Sequence, residues 1–398
     1  MNPVSEISVS QLKALMESGQ PLFLVDVRSQ ADFDRWKIEG RVPVETVNTP
    51  VSEMQRATGL EGAAAAAAYA RRKWAEVIPR TARVVVICPQ GNTSRMVAGA
   101  LAEVGWDACN LTGGMQAWGN FYESHPVVRE AELSIYQIAR PARGCLSYLI
   151  ASRGEAVIVD PLRHTEPYLR LAEEQGWQVR AVLETHGHAD HISGGPALAR
   201  ALGVPYYLHP YDGIHPIDVM PATLPYEYLR DGQVLTVGSA RLEVLHIPGH
   251  TLGNLSFLID RRYLLSGDSI FINSIARPDL GGKGESWAPI HYRSLSRLLA
   301  LGDDLLVLPG HFSSPAEAGA DGCFGAPLSE LKERNEGLRM LLQGEGPFLQ
   351  WLLGSLPTFP PQYVEIKRVN AGLVTPDEET ASELEMGRNI CALSQAYH

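Results

Sequence analysis

Short apolar runs alternate with stretches of high helix propensity along the first third of the chain. Residues 22–27 and 84–87 are continuous apolar runs, a pattern typical of strands that are buried on both faces. Residues 63–78 are rich in alanine, which favours a helix, and Ser10 can cap an earlier helix that ends near Gly19. Strands that alternate with helices predict a parallel sheet with flanking helices.

The pattern changes near residue 128, where short paired strands follow one another. Residues 121–132 are polar and contain Pro126, which indicates a linker. Residues 146–150 and 156–159 then predict a hairpin. We therefore predict three parts: a first domain at 1–128, a second domain at 129–341, and a C-terminal extension at 342–398 that packs on the second domain.

Composition and charge exclude several classes of function. The 398 residues are 45% hydrophobic and 20% charged, which is ordinary for a globular protein. The formal net charge of -11 argues against nucleic acid or an anionic membrane surface as a partner, because both are bound by basic patches. The first residues do not resemble a secretory signal, and no apolar run reaches the roughly 18 residues of a membrane span. We expect a cytoplasmic protein that acts on small molecules, with its five scattered cysteines reduced.

The densest chemical signal is the segment at residues 185–195, which reads T-H-G-H-A-D-H-I-S-G-G. Three imidazoles and one carboxylate occur within six consecutive positions, and these are the ligand types that suit zinc, iron and manganese. Residues 179–183 predict a buried strand before it, and residues 192–202 predict a helix after it. The sequence therefore predicts a metal site on a strand-to-helix loop.

The spacing within this loop leaves the number of metals open. His186 and His188 alternate along an extended segment and can face one side, whereas Asp190 and His191 turn the other way as the helix begins. One segment can thus serve two adjacent metal positions. Three more candidate ligands each follow an apolar strand, where loops commonly present functional groups: His250, Asp268 and His311.

Cys88 is the candidate nucleophile of the first domain. It follows the apolar run at 84–87 and precedes a helix that starts near Ser94, in the loop C-P-Q-G-N-T-S-R. Backbone N–H groups of such a loop and the partial positive charge of a helix N-terminus stabilise a thiolate or a persulfide. Gly91 supplies the tight curvature of the loop.

Three motifs of the first segment together resemble a single rhodanese domain. They are D-V-R at residues 26–28, the cysteine loop, and N-L-T-G-G-M-Q-A-W at residues 110–118. The resemblance implies a sulfurtransferase in which Cys88 carries sulfane sulfur as a persulfide, with Gly91 and Arg95 in the catalytic loop. Rhodanese loops often have a basic residue where this chain has Thr93, and Arg95 lies beyond that place.

The second segment resembles the metallo-β-lactamase superfamily, whose fold is an αββα sandwich with metals at one sheet edge. The motifs that carry this resemblance are Asp160, the T-H-G-H-A-D-H segment, His250, Asp268 and His311, in this order. Many members hydrolyse thioesters or amides with two zinc ions. In such a site one zinc is held by His186, His188 and His250, the other by Asp190, His191 and His311, and Asp268 lies between them.

A finer resemblance is to the persulfide dioxygenases, which include bacterial enzymes fused to rhodanese. Residues 266–280, S-G-D-S-I-F-I-N-S-I-A-R-P-D-L, look like the segment of that family that carries the metal aspartate and a substrate arginine, here Arg277. In that family one iron(II) is held by the residues that match His186, His250 and Asp268, which is a ligand set with open positions. The resemblance implies that the remaining candidates lie around this triad: His188, Asp190, His191 and His311.

These resemblances predict a two-domain sulfur enzyme with one Fe(II) per chain. The rhodanese domain supplies or transfers sulfane sulfur, from thiosulfate or another donor, through Cys88. The second domain oxidises a glutathione-type persulfide with O₂ and water to thiol and sulfite, and Arg277 grips a substrate carboxylate. The alternative is a thioester hydrolase of the glyoxalase II kind with two Zn²⁺ ions and an accessory rhodanese domain. We expect no nucleic acid or membrane partner; the thiol, the direction of sulfur transfer and a homo-oligomeric state stay open.

Overall fold

The computed structural model describes residues 4–393, which divide into two compact units. One unit runs to Phe121 and includes Arg140–Ala142, and the other comprises Tyr122–Ala139 and continues from Arg143. Within residues 4–393, no helix combines the length and the hydrophobicity that crossing a membrane requires.

A five-stranded parallel sheet forms the centre of the first unit. Its strands are β1 (Ser5–Ile7), β2 (Leu22–Asp26), β3 (Glu45–Asn48), β4 (Arg83–Ile87) and β5 (Ala108–Leu111), in the order β1-β5-β4-β2-β3. Successive residues of β2 and β4 face opposite sides, so Val25 and Val86 enter one buried cluster while Leu24 and Val85 enter another. Helices cover both faces, which explains why these strands are continuous apolar runs.

The helices of this unit agree with the sequence pattern except in two details. They are α1 (Val9–Glu17), α2 (Gln30–Arg35), α3 (Val51–Thr58), α4 (Gly62–Tyr69), α5 (Ala75–Val77), α6 (Asn92–Glu103) and α7 (Gly114–Gly119). The first helix is capped by Ser8, which exchanges hydrogen bonds with Gln11, and not by Ser10 as predicted. The alanine-rich helix passes through a π-helical turn at Ala70–Trp74.

Two sheets face each other in the second unit. The first consists of β6 (Glu123–Arg129), β7 (Ser134–Arg140), β8 (Cys145–Ser152), β9 (Glu155–Val159), β10 (Gln178–Leu183), β11 (Tyr206–Leu208) and β12 (Glu227–Tyr228), and it is ordered from β12 down to β6. The second consists of β13 (Val234–Val237), β14 (Ala240–His246), β15 (Leu255–Ile259), β16 (Tyr263–Gly267), β17 (Leu306–Pro309) and β18 (Ala326–Pro327), in sequence order.

Helices cover the outer face of each sheet of this unit. They are α8 (Glu166–Gln175), α9 (Gly195–Leu202), α10 (Gly284–Leu299), α11 (Leu328–Arg334) and α12 (Glu336–Leu341), with a 3₁₀ turn at Pro315–Glu317. Ile150 of one sheet and Phe257 of the other share the central core, whereas Leu198 of α9 packs outside the first sheet and Leu295 of α10 outside the second. This confirms the predicted αββα sandwich after a rhodanese-type α/β domain.

The segment predicted as a linker contains a strand. β6 pairs antiparallel with β7, with Glu123 opposite Ala139, so residues 123–129 belong to the second unit and the boundary lies before the predicted position at residue 128. Pro126 favoured a linker over a strand because proline lacks the N–H group that pairs neighbouring strands. The strand tolerates it because β6 lies at the edge of its sheet.

The C-terminal extension forms three helices that pack within the second unit. They are α13 (Glu345–Gly354), α14 (Gln362–Asn370) and α15 (Glu378–Leu384). Phe348 of α13 joins the core beneath α10, and Ile366 of α14 packs against Ile192, which follows the histidine-rich loop. The extension therefore reaches the neighbourhood of the candidate metal ligands.

Candidate metal centre and cysteine loop

The histidine-rich loop lies between β10 and α9, as the sequence predicts, and its ligand side chains are buried. The helix after it begins at Gly195 and not at Ile192. A helix that began at Ile192 would need an N–H at residue 196 to bond the Ile192 carbonyl oxygen, and Pro196 has none. The N–H groups of Ile192 and Ser193 donate to side chains of the C-terminal extension, Glu385 at 2.9 Å and Asn370 at 2.9 Å. These two bonds hold the chain in loop conformation up to the helix.

Three buried side chains each point one polar atom toward a common position, and none of these atoms has a hydrogen-bond partner among residues 4–393. The unpartnered atoms are His186 Nε2, His250 Nε2 and Asp268 Oδ2. The Asp268 oxygen lies 3.3 Å from the His250 nitrogen and 3.9 Å from the His186 nitrogen. Since a buried polar atom without a partner is costly, this convergence fits a bound metal ion. The structure thus brings together the triad predicted from sequence.

The other nitrogen of each triad histidine is held by the protein. His186 Nδ1 lies 2.9 Å from Thr185 Oγ1, whose hydroxyl donates to Asp160 at 2.8 Å. His250 Nδ1 lies 2.7 Å from the carbonyl oxygen of Arg277 and donates to it, which leaves Nε2 with its lone pair. Such partners fix the tautomer and orientation of a metal-binding imidazole.

His311 does not face the converging atoms but holds two carboxylates. Its Nδ1 lies 2.6 Å from Asp268 Oδ1, and its Nε2 lies 2.9 Å from Asp190 Oδ2. Burial lowers the pKa of His311, but the charges of Asp268 and Asp190 outweigh this and raise the pKa well above its usual value. In the metal-free protein, His311 is therefore a cation that bridges two carboxylates.

His188 lies outside the triad. Its Nε2 contacts Glu184 at 2.9 Å and Asp160 at 3.3 Å, and its Nδ1 has no partner in the described part of the chain. Burial lowers the pKa of His188, and the opposing charge of Asp160 together with bonds to both carboxylates raises it well above the usual value. The carboxylate–histidine arrangement resembles the outer part of a metal site.

A second cluster of candidate ligands includes a residue that the sequence motifs do not mark. Ligand atoms of Cys145, Asp190, His191 and His311 lie within 4.8 Å of one another. His191 Nε2 has no partner among the residues that the structure describes. Asp190 is bound by His311 and by the Cys145 thiol, which donates at 3.3 Å. Cys145 stands at the start of β8, where no local motif signals chemistry.

Side chains of the C-terminal extension support the loop through its backbone. Asn370 donates to the carbonyl oxygens of His188 at 2.9 Å and of His191 at 2.8 Å. Lys367 Nζ donates to the carbonyl oxygen of Gly187 at 2.5 Å. Sequence reasoning missed these residues because neither belongs to a motif and both lie far along the chain from the loop that they hold.

The structure places Arg277 among protein groups and not in the cavity wall, so its role in substrate binding stays a prediction. Its side chain is fully buried and pairs with Asp279 through two hydrogen bonds, at 2.6 and 2.8 Å. Another of its bonds goes to the carbonyl oxygen of Pro357 at 2.8 Å, and the ring of Phe359 lies under the guanidinium. Arg277 ties the segment after Asp268 to the C-terminal extension.

A cavity of about 230 Å³ opens beside the triad, and His186 and His188 line it. Its wall also contains Leu280, Lys283 and Trp287, which belong to the stretch that follows Arg277. α10 begins at Gly284, so Trp287 lies in the first turn of this helix. Tyr292, further along α10, packs on Phe348.

The cysteine loop of the first unit has the geometry that the sequence predicts. Cys88 follows β4, and α6 begins at Asn92 after Gly91, which has a φ of 90°. The thiol accepts hydrogen bonds from the Gly91 N–H at 3.1 Å and from the Ser94 hydroxyl at 3.0 Å. A Cβ at Gly91 would lie 2.9 Å from the backbone nitrogen of Gly113, so both the φ and the packing require glycine.

The same contacts control the ionisation of Cys88. Burial raises its pKa, but hydrogen bonds from the Ser94 side chain and from backbone N–H groups of Ser94, Gln90 and Gly91 outweigh burial, and the pKa falls below its usual value. Arg95, expected in the catalytic loop, is 60% exposed, and its Nε lies 2.7 Å from Glu6. The thiol contacts come from the loop and not from this arginine.

Two family models match the chain. Residues 140–311 match the model described as "Metallo-beta-lactamase superfamily", and residues 8–121 match the one described as "Rhodanese-like domain". An uncharacterized protein of Mycobacterium leprae (strain TN) is 37% identical over 211 residues, which cover 47% of this chain and 94% of that protein. The chain belongs to the metallo-beta-lactamase superfamily.

Two further proteins are also similar to this chain, and the matches cover smaller shares of those proteins than the 94% of the Mycobacterium leprae protein. A crystal structure of a metallo-beta-lactamase from Staphylococcus aureus subsp. aureus COL is 30% identical with a TM-score of 0.54, covering 60% of this chain and 72% of that one. A hydroxyacylglutathione hydrolase of Xanthomonas euvesicatoria pv. vesicatoria is 36% identical over 170 residues, covering 43% of this chain and 61% of that protein. The triad lies in the metallo-beta-lactamase domain, and Cys88 lies in the rhodanese-like domain.

Proposed function

We propose that the metallo-beta-lactamase domain is a non-haem iron persulfide dioxygenase. The reaction is RSSH + O₂ + H₂O → RSH + HSO₃⁻ + H⁺, in which O₂ is the oxidant and the outer sulfur leaves as sulfite. The observation that carries the proposal is the convergence of His186 Nε2, His250 Nε2 and Asp268 Oδ2, which are all buried and have no partner within residues 4–393.

This donor set fits ferrous iron. Two imidazoles and one carboxylate leave coordination positions open, which is the arrangement that non-haem Fe(II) oxygenases use. Iron bound there would supply a redox centre at which O₂ and the sulfur of the persulfide meet. Zinc has no accessible redox chemistry and cannot supply this.

The protein's own contacts favour one metal at the triad. His311 binds Asp268 Oδ1 and thereby directs Oδ2 toward the two histidine nitrogens. The second nitrogen of His311 is occupied by Asp190. A metal in the second cluster would have to replace this hydrogen bond between two buried groups, whereas the triad offers three atoms that are already unpartnered.

The rhodanese-like domain has a complementary role in this proposal. The Cys88 thiolate attacks the outer sulfur of thiosulfate, a Cys88 persulfide forms, and sulfite leaves with the electron pair of the broken S–S bond. A small thiol such as glutathione then takes the sulfur from Cys88 and becomes the persulfide substrate. The lowered pKa of Cys88 favours the anionic nucleophile at neutral pH.

A di-zinc thioester hydrolase is the second candidate, and two observations favour it. One is the similarity to a hydroxyacylglutathione hydrolase. The other is the unpartnered Nδ1 of His188, whose Nε2 is held by carboxylates as in many zinc sites. In this alternative His186, His188 and His250 bind one zinc, and Asp190, His191 and His311 bind the other, with Asp268 between them.

An oxygen electrode separates the two candidates. With preformed glutathione persulfide, the proposal expects oxygen uptake with the formation of an equal amount of sulfite, and no uptake by Asp268→Ala. The same preparation is assayed with a glutathione thioester. Thioester hydrolysis without oxygen uptake from persulfide would establish the second candidate and reject the first.

A further inference from the structure

One carboxylate outside the ligand set joins the two loops that carry the triad histidines. Asp212 lies in the loop after β11 and lines the cavity beside His186. Its Oδ2 accepts the N–H of Gly187 at 2.8 Å and the hydroxyl of Thr251 at 2.6 Å. Its Oδ1 accepts the N–H of Gly253 at 3.0 Å. A single side chain thus receives three hydrogen bonds from two loops.

These donors are adjacent in sequence to the metal ligands. Gly187 follows His186, and Thr251 follows His250, so the two bonds at Oδ2 tie the two ligands to one oxygen atom. The carbonyl oxygen of Gly187 accepts a hydrogen bond from Lys367 Nζ at 2.5 Å. Gly187, the residue after His186, is therefore held at both its N–H group and its carbonyl oxygen.

Packing shows that the carboxylate fills the space between the loops closely. A Cβ at Gly253 would lie 2.6 Å from Asp212 Cγ and 2.8 Å from its Oδ1. A Cβ at Gly187 would lie 3.4 Å from Asp212. Glycine at position 253 is thus a requirement of this contact, since any side chain there would displace the carboxylate.

We propose that Asp212 is a positioning residue of the metal centre, which sets the separation of His186 and His250 by binding the backbone beside each of them. The proposal rests on the metal triad of the proposed function but on neither the persulfide nor the oxidation. Ligand sets that bind metal tightly are preorganised by such contacts, and their loss typically costs about 10 to 100-fold in metal affinity.

The test measures metal binding to the full-length protein without substrate. Fe(II) affinity is determined anaerobically by competition with a chelator, and the visible spectrum of the Co(II)-substituted protein reports the ligand geometry. We expect Asp212→Ala to bind Fe(II) about 10 to 100-fold more weakly and to shift the Co(II) bands. Asp212→Asn keeps one acceptor oxygen and should recover part of the affinity. Thr251→Val removes one of the three bonds and should cost up to about 10-fold.

A matched control separates positioning from general stability. Asp377 also accepts a backbone N–H, from Thr380 at 2.8 Å, as the N-cap of α15. Asp377→Ala should lower the unfolding free energy and leave Fe(II) affinity and the Co(II) spectrum unchanged. The proposal is overturned if Asp212→Ala retains wild-type affinity and spectrum, or, where that variant does not fold, if folded Thr251→Val does so. Because no turnover is measured, a failure of the dioxygenase assignment would leave this result intact.

Discussion

Substitution of His311 should distinguish the residues that bind the metal from the residues that orient them. In His311→Ala the imidazole that binds Asp268 at 2.6 Å and Asp190 at 2.9 Å is lost, and both carboxylates are fully buried. Breaking a buried ion pair by removing one partner typically costs about 3–5 kcal/mol, because the remaining charge is left without compensation. We expect a loss of this size in the unfolding free energy of the metal-free protein.

Metal binding should respond differently in two variants. Asp268→Ala removes the anionic ligand, so iron should be lost altogether. His311→Ala keeps all three triad atoms and should retain iron with an affinity and a turnover reduced by about 10 to 100-fold, since an outer contact is lost. The assays are urea unfolding of the metal-free protein and anaerobic chelator competition for Fe(II).

Arg28→Ala is the matched control for this pair. Arg28 belongs to the first unit and binds Asp26 at 2.7 Å, so this variant also breaks a buried ion pair but leaves the second unit unchanged. This variant should lose stability but keep the wild-type affinity for iron. The reasoning would be refuted if His311→Ala lost iron as completely as Asp268→Ala, because His311 would then be a metal ligand and the site would extend to a second metal.

Three further predictions concern residues away from the triad. Cys88→Ser should retain oxygen uptake with preformed persulfide but lose it when thiosulfate and a thiol are the only inputs. Loss of oxygen uptake under both conditions in a folded, iron-loaded protein would mean that Cys88 takes part in the oxidation itself. Alkylation of Cys88 by iodoacetamide should reach its half-maximal rate at a lower pH than alkylation of a free cysteine, because hydrogen bonds in the loop lower its thiol pKa, and Ser94→Ala should move this midpoint to higher pH. A wild-type midpoint at or above that of a free cysteine would contradict the role of the loop. Arg277→Ala leaves Asp279 and several carbonyl groups unpaired, so the unfolding free energy measured in urea should fall by about 3–5 kcal/mol. Unchanged stability with a raised Michaelis constant would instead support the substrate role predicted from sequence.

The sequence indicated which candidate ligands lie together because their signal is local. Imidazoles and carboxylates that follow one another this closely are typical of metal sites, and each of His250, Asp268 and His311 follows a strand whose end lies at the same sheet edge. The cysteine loop was equally visible, since a strand end, a glycine with positive φ and a helix start occur in succession at Gly91.

The support of the site was not predictable in this way. Asn370 and His188 are 182 positions apart, and a single polar residue on a helix gives no sign that it will bind a distant backbone carbonyl. Asp212 and Cys145 are likewise single residues without a motif. Arg277 is the converse case: its motif was visible, but only the folded chain shows that Asp279 and the C-terminal extension bind its donors.

Metal analysis of the protein purified without oxygen tests the central claim most directly. Elemental analysis per chain, combined with the same analysis of Asp268→Ala, counts the metal that the triad holds. We predict about one iron per chain in the wild type and none in the variant. Two zinc ions per chain in the wild type would contradict the iron assignment and would assign the site to a di-zinc hydrolase.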